Sequence, residues 1–459
     1  MISNTEGYSM RKIFHSALFC LIFSVVLSQF VPLTASAAWA PPTAPTCKAV
    51  YLVNADTGKV MYEKNAFEKI YPASVTKLMT AVLVYDKFKD NLDQIVTVQR
   101  SDIDPLYGSF GMMSDLKAGE QISVRNLLYC LLIKSGDDSA NVLARATAGS
   151  LDAFVAQMNN KAQELGLKHT HYVNPHGLHD PDHYTTAYDI YLLSRYAMKI
   201  PYLATVVSKV HITIPATNKN PERQYPNTNL LLNPNYSIAY YYQYVKGIKT
   251  GTTTPAGTCL SSYAEKDGTT YYCVAMGGQK SPNTAFTDTR MLYQWVFGNF
   301  EIQPIVKTTD PEGNIKVDLC TEKTSISVVP LKQINALVPD TFTASDLKIE
   351  PHLKQSVTAP VLKGQKVGYE DVYLINAQTK KKELISRVDL ITSESAARSM
   401  PLYVLYLVKT FFNSIWFKVV AVALAAILIL YVSLSVYVNR RKKQLNRRRG
   451  RGKNYKRRR

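Results

Sequence analysis

The stretch Tyr71-Pro72-Ala73-Ser74-Val75-Thr76-Lys77-Leu78-Met79-Thr80 decides how the rest of this chain is read. It places Ser-x-x-Lys ahead of an apolar run, Leu78, Met79, Ala81, Val82, Leu83, Val84 and Tyr85, rich enough for a buried helix. Pro72 favours a helix start nearby. Helical residues three apart share a face, with roughly 5–6 Å between their Cβ atoms, so the Lys77 amine reaches the Ser74 hydroxyl. A serine hydroxyl is a weak nucleophile until a base takes its proton. A lysine desolvated beside such a helix has a lowered pKa and acts as a neutral base. The four letters alone prove little, because the pattern recurs at Ser9…Lys12, Ser114…Lys117 and Ser345…Lys348, and an exposed lysine at a helix edge is the ordinary case.

Two further stretches change that balance. Leu131-Leu132-Ile133-Lys134-Ser135-Gly136-Asp137-Asp138 puts a second serine and a polar side chain at the end of an apolar helix, where a loop enters a cleft. Val245-Lys246-Gly247-Ile248-Lys249-Thr250-Gly251-Thr252-Thr253 ends a strand with a lysine, a hydroxyl and a glycine. Such a lysine pairs with a substrate carboxylate, and the glycine lets backbone approach a ligand.

The ends of the chain account for its charge. Of the formal +19, thirteen Lys and Arg lie between Arg440 and Arg459 with no acid among them, which leaves +6 for the remainder. The excess belongs to a tail, so nucleic-acid binding is not expected of the body. Met10-Arg11-Lys12, the apolar run Ile13 to Leu33 and Ala35-Ser36-Ala37 have the three parts of a secretory signal, read as residues 1–37. Val419 to Val438 is uncharged and long enough to span a bilayer, and the basic tail 439–459 orients it with that tail cytoplasmic. The expected location is the cell membrane, with the body outside the cytoplasm. Without Cys20 five cysteines remain, an odd and sparse set that does not make a disulfide framework; Cys259 and Cys273 lie on neighbouring strand-like runs and leave one pairing open.

Between these ends, Ala49–Val53 and Val60–Met61–Tyr62 read as a hairpin around Asp56-Thr57-Gly58-Lys59. Helical periodicity follows over 124–132, 139–148 and 151–165. Short strands resume at 247–250, 259–263 and 271–276, closed by a helix over 288–297. The expectation is an α+β domain over 46–300 with helices against an antiparallel sheet. Short strands spaced by turns over 301–395 suggest a small β-sandwich. A linker or interfacial segment, 396–418, precedes the membrane helix, 419–438.

Ser74-x-x-Lys77, then Ser135-Gly136-Asp137, then Lys249-Thr250-Gly251, in that order, resembles the motif set of penicillin-binding proteins and serine β-lactamases. The fuller resemblance is to low-molecular-mass D-alanyl-D-alanine carboxypeptidases of peptidase family S11, through Ala55-Asp56-Thr57-Gly58-Lys59-Val60, Asn174-Pro175-His176-Gly177-Leu178, Tyr184-Thr185-Thr186-Ala187-Tyr188-Asp189 and, in the tail domain, Ala359-Pro360-Val361. It implies a β-lactamase/DD-peptidase-like catalytic fold, no cofactor, and partners that are peptidoglycan stem peptides ending in D-Ala-D-Ala, β-lactams and, through the C-terminal helix, the membrane. Ser74, Lys77 and Ser135 are the implied catalytic residues, and Lys249, Thr250, Gly251, Thr252 and Asp137 the substrate-binding ones. The family usually has Asn where Asp137 stands, which places an extra carboxylate beside Lys77.

A β-lactamase, a D,D-endopeptidase and a non-catalytic wall-binding protein are the competing readings. The loop residues His176, His179, Asp180, Asp182 and His183 suggest a metal site only weakly, since Gly and Pro break the loop and no Glu-x-x-His pattern supports it; no metal is expected.

Overall fold

The computed structural model describes residues 40–235, 237–376 and 380–455, with side chains to residue 446; the signal reading over 1–37 lies outside the described residues. The chain forms two compact units, one running to Gln303 and including Ala336–Thr343, the other comprising Pro304–Asn335 and Ala344–Arg459.

In the first unit the strands are β1 (Ala49–Asn54), β2 (Val60–Lys64), β3 (Ile95–Thr97), β4 (Gln121–Ser123), β5 (His211–Ile214), β6 (Arg223–Pro226), β7 (Val245–Thr253), β8 (Gly257–Lys266) and β9 (Thr269–Gly278). The helices are α1 (Lys77–Phe88), α2 (Arg100–Ile103), α3 (Val124–Tyr129), α4 (Asp137–Ala148), α5 (Leu151–Glu164), α6 (Ala187–Met198), α7 (Pro201–Val207) and α8 (Thr284–Asn299). The main sheet has the order β2-β1-β9-β8-β7 and is antiparallel throughout.

Strand periodicity explains why the sheet carries a core on each face. Side chains alternate between faces along a strand. In β1, Ala49, Tyr51 and Val53 join the core built by α1 and its neighbouring helices, while Val50 and Leu52 join the core under α8. The same alternation divides Tyr272, Val274 and Met276 of β9 from Tyr271, Cys273 and Ala275. All six residues of β1 are therefore buried, and Ala49–Val53 read as continuously apolar although the neighbouring strands are antiparallel. Helix α1 lies in the middle of the helical layer, with Leu78, Met79, Ala81, Val82 and Val84 wholly buried. Its first six residues, Lys77 to Val82, are all buried, which anchors the end of the helix next to Ser74.

The second unit is a β domain in which six strands follow the order Leu347–Leu353, Lys366–Ile375, Lys382–Thr392, Ser325–Pro330, Asn314–Asp318, Ser356–Thr358. Strand Ser325–Pro330 pairs with Asn314–Asp318 through its first half and with Lys382–Thr392 through its second. Ile315, Ile326, Val328, Val357, Val367 and Leu390, drawn from both sides of that strand, make the core. Beyond it come α9 (Met400–Asn413) and α10 (Ile415–Tyr455). Within α10, the span Ile415–Asn446 contains an 18-residue stretch of mean hydropathy 2.8 and is long and apolar enough to cross a membrane. The helix itself begins at Ile415, a turn ahead of the uncharged run 419–438.

Cys47, Cys130, Cys259, Cys273 and Cys320 are all free thiols. Cys259 faces Gly251 across the β7–β8 pair, while Cys273 faces Ser262 across β8–β9, so the two cysteines are out of register for a bridge.

Candidate active site

Ser74 does not sit on the α-helix itself. It belongs to the 3-10 turn Ala73–Thr76, and Lys77 opens α1. In a 3-10 turn residues i and i+3 eclipse one another, and Lys77 Nζ donates to Ser74 Oγ at 2.9 Å. The lysine is wholly buried and its other two acceptors come from distant segments: Asp137 Oδ1 at 2.5 Å and the His176 carbonyl at 2.7 Å. Burial pushes the Lys77 pKa down, and the Asp137 carboxylate opposes that shift.

The facing wall is built from two other elements. After α3 the helix widens into a π turn, Cys130–Lys134, and ends at Ser135 with φ 68° and ψ 34°. A non-glycine residue in the left-handed region is strained, and such residues gather at functional sites. Lys249 on β7 donates to Ser135 Oγ at 2.9 Å and to the Thr250 carbonyl at 3.0 Å. Lys249 is 1% exposed; burial first, and the Lys77 charge second, hold its pKa well below the ordinary lysine value. Thr250 Oγ1 lies 2.7 Å from Thr228 Oγ1, while the exposed Thr252 turns its hydroxyl to the Gly251 carbonyl at 2.8 Å.

Gly251 is where β7 meets the Ser74 turn: a Cβ there would come 2.9 Å from both Ser74 N and the Pro72 carbonyl oxygen. The glycine expected to admit a ligand thus also admits the backbone of Ser74. Ser74, Ser135, Asp137, Thr250, Gly251 and Thr252 line one cleft of about 890 Å³; Lys77 and Lys249 stand behind them, reaching Ser74 and Ser135 by the hydrogen bonds just given.

Comparison with known proteins matches the D-alanyl-D-alanine carboxypeptidase family to residues 35–280, more than half of the chain. The chain belongs to that family. Its residues 300–398 match the C-terminal domain of penicillin-binding protein 5. Among related D-alanyl-D-alanine carboxypeptidases, DacF of Bacillus subtilis is 31% identical over 70% of this chain and 80% of its own length. DacC of Escherichia coli is 32% identical over 79% of this chain and 89% of its own. The crystal structure of penicillin-binding protein 5 from Haemophilus influenzae aligns with a TM-score of 0.56 at 26% identity, covering 78% of this chain and all of that one. The α+β catalytic domain and the β domain following it, expected from the resemblance, are those of this carboxypeptidase family.

The histidine loop of this D-alanyl-D-alanine carboxypeptidase family member serves the turn that carries Ser74. His183 Nδ1 accepts from the Val173 N–H at 3.2 Å, so the neutral ring donates from Nε2 to Thr76 Oγ1 at 2.8 Å. His176 Nδ1 accepts from the Leu178 N–H at 3.1 Å, and Asp180 Oδ1 accepts from the Asp182 N–H at 2.8 Å. His179 packs edge-on against Tyr71. Among the described residues, no three His, Cys, Asp or Glu side chains are grouped to hold a metal ion. Thr228, Thr76 and the His176 carbonyl take part in the site without having been picked out by sequence. The Asn-Thr-Asn run around Thr228 reads as an ordinary loop, and a backbone carbonyl leaves no sequence signal.

Proposed function

We propose that this cleft removes the terminal D-Ala from peptidoglycan stem peptides ending in D-Ala-D-Ala, through an acyl-enzyme on Ser74. The observation that carries the reading is the contact of Lys77 Nζ with Ser74 Oγ at 2.9 Å inside a cleft whose facing wall holds the Lys249–Ser135 pair. Lys77 takes the Ser74 proton, and Ser74 Oγ attacks the carbonyl of the penultimate D-Ala. The oxyanion is received by the backbone N–H groups of Ser74 and Thr252, fixed donors of the kind that dominate such catalysis. Ser135 passes a proton to the departing amine, and Lys249, Thr250 and Thr252 hold the terminal carboxylate. Asp137 borders the cleft beside Lys77. Water then releases the shortened peptide. A β-lactam presents a reactive amide to the same serine and acylates it stably.

The test is incubation with a labelled penicillin and, separately, with a pentapeptide ending in D-Ala-D-Ala. Stable labelling and free D-Ala from the wild type, both absent in Ser74→Ala, are expected; labelling of Ser74→Ala would remove the nucleophile assignment.

The apolar span of α10, followed by Arg440-Arg441-Lys442-Lys443, supports an anchor that crosses the membrane with the basic tail inside. The exposed Leu405, Phe411, Phe412 and Trp416 on and after α9 suit the lipid interface. The full chain is expected to sediment with membranes and a chain ending at Arg398 to remain in solution; sedimentation of both would separate membrane association from α9 and α10.

A further inference from the structure

The Lys77 amine has three neighbours, and they are not equivalent. The His176 carbonyl, 2.7 Å away, only accepts. Ser74 Oγ, at 2.9 Å, carries the hydrogen that the reaction removes. The third neighbour is Asp137 Oδ1 at 2.5 Å. An ammonium satisfies all three by donating to each. An amine has two N–H groups and one lone pair, so for the lone pair to face the Ser74 hydroxyl a proton must first leave Nζ. With the Lys77 side chain at 0% and the Asp137 side chain at 2% exposure, bulk water does not reach the contact. Among the described residues, Asp137 Oδ1 is the one hydrogen-bond partner of Nζ, other than Ser74, that can take a proton.

We propose that Asp137 holds the Lys77 proton during turnover, so that Lys77 meets Ser74 as a neutral amine while the pair keeps its single proton. This rests on Ser74 as nucleophile and Lys77 as its base. In the first step an N–H bond of Lys77 breaks and an O–H bond forms on Asp137 Oδ1, converting a buried ion pair into a neutral pair. Two charges held out of water are expensive to maintain, and their mutual cancellation removes that expense. Rotation about the Cε–Nζ bond turns the freed lone pair from Asp137 to Ser74; the Ser74 proton then moves to Lys77 as Oγ bonds to the carbonyl carbon, and leaves with the amine. Asp137 keeps its proton through the acyl-enzyme, so Lys77 is again an amine when water attacks. Asp137 touches no substrate atom in this scheme and acts through Lys77.

The other charged groups around the pair are engaged elsewhere. On α4, the Asp138 carboxylate accepts from the N–H groups of Ser114, Leu116 and Ser139. On β7, Lys249 is bound to Ser135 and Thr250. In the loop against α1, burial holds the His176 and His183 pKa values down at about 3, so both rings are neutral. Lys134, on the π turn, borders the same cleft and stacks 5.3 Å above the Tyr225 ring. The rim residues Ser109, Phe110, Gly111 and Met112 bring no ionisable side chain.

The experiment is the pH dependence of acylation by a labelled penicillin, measured on the full chain in detergent for wild type and Asp137→Asn. With one proton shared inside the pair, the wild-type rate is level through neutral pH. In Asp137→Asn, Lys77 must lose its proton to solvent, and the rate falls on the acid side from a higher pH than in wild type, about tenfold per unit. A limb in Asp137→Asn at the same or a lower pH than in wild type overturns the proposal, because Asp137 then merely holds the ammonium. If Asp137→Asn does not fold, the wild-type profile decides alone: a level neutral rate supports the shared proton, and a limb above neutral pH excludes it. Failure of the underlying assignment shows separately, as labelling that survives in Ser74→Ala.

Discussion

Lys249 Nζ lies 2.9 Å from Ser135 Oγ, so the second buried lysine of the cleft is committed to a serine. Its pKa is held well below the ordinary lysine value by burial. If the ammonium form is what favours the substrate carboxylate, that charge disappears as pH rises through the lowered pKa. A basic limb in kcat/KM for the pentapeptide is expected well below pH 10.5, the ordinary lysine value. Lys249→Arg, whose guanidinium stays charged, is expected to lose that limb while lowering the overall rate. A limb unchanged in Lys249→Arg would assign it to another group.

Ser135→Ala removes the hydroxyl that Lys249 contacts and that is proposed to protonate the leaving group. A positioned proton donor contributes about 10²–10⁴-fold, so acylation by the pentapeptide is expected to fall within that range, read as the rate of D-Ala release. Fluorescence thermal unfolding checks that the fold survives.

Gly251→Ala brings a methyl group to 2.9 Å from Ser74 N, closer than a real Cβ tolerates. The turn must move, and a displacement of about 1 Å in an active site costs on the order of 10²-fold. Penicillin labelling is expected to slow by about that factor, with a stability loss of about 1–3 kcal/mol from overpacking, read from urea unfolding.

His176 and His183 are buried and neutral, with pKa values lowered from 6.5 to about 3 by desolvation. The unfolded chain binds protons at these histidines below about pH 6.5 while the folded chain does not, so stability present above that pH is lost as pH falls towards 3. The slope approaches about 1.4 kcal/mol per pH unit for each histidine. His183→Phe is expected to flatten the fall between pH 6 and 4 in denaturant titrations at stepped pH, and to loosen the Thr76 contact beneath Ser74.

All five described cysteines are free and buried. Addition of a reducing agent is therefore expected to leave the melting temperature unchanged; a drop would reveal a disulfide.

Much of the fold could be read from local pattern. The alternation in β1 and β9, the turn at Asp56–Lys59 and the apolar run of α1 depend on neighbours a few residues away, and these follow strand and helix periodicity. In the β domain, strand Leu347–Leu353 has no apolar alternation to mark it, because Lys348, Glu350, Pro351 and His352 break the pattern. Its identity as a strand comes from pairing with Lys366–Ile375. The Ser-x-x-Lys spacing reads as helical at Ser74, whereas the structure puts that residue in a 3-10 turn.

The order of the three motifs, the α+β class and the excess charge of the tail were determined by the sequence alone, since each is a matter of residue type and spacing. Tertiary structure decided what Lys77 touches. Asp137 is 60 residues away along the chain and the His176 carbonyl 99, and no periodicity links them to Ser74. Packing of α4 and the histidine loop against α1 brings them within hydrogen-bond reach and keeps water out. Desolvation and a carboxylate at 2.5 Å act on the same amine in opposite directions, and their balance is a property of the folded interior.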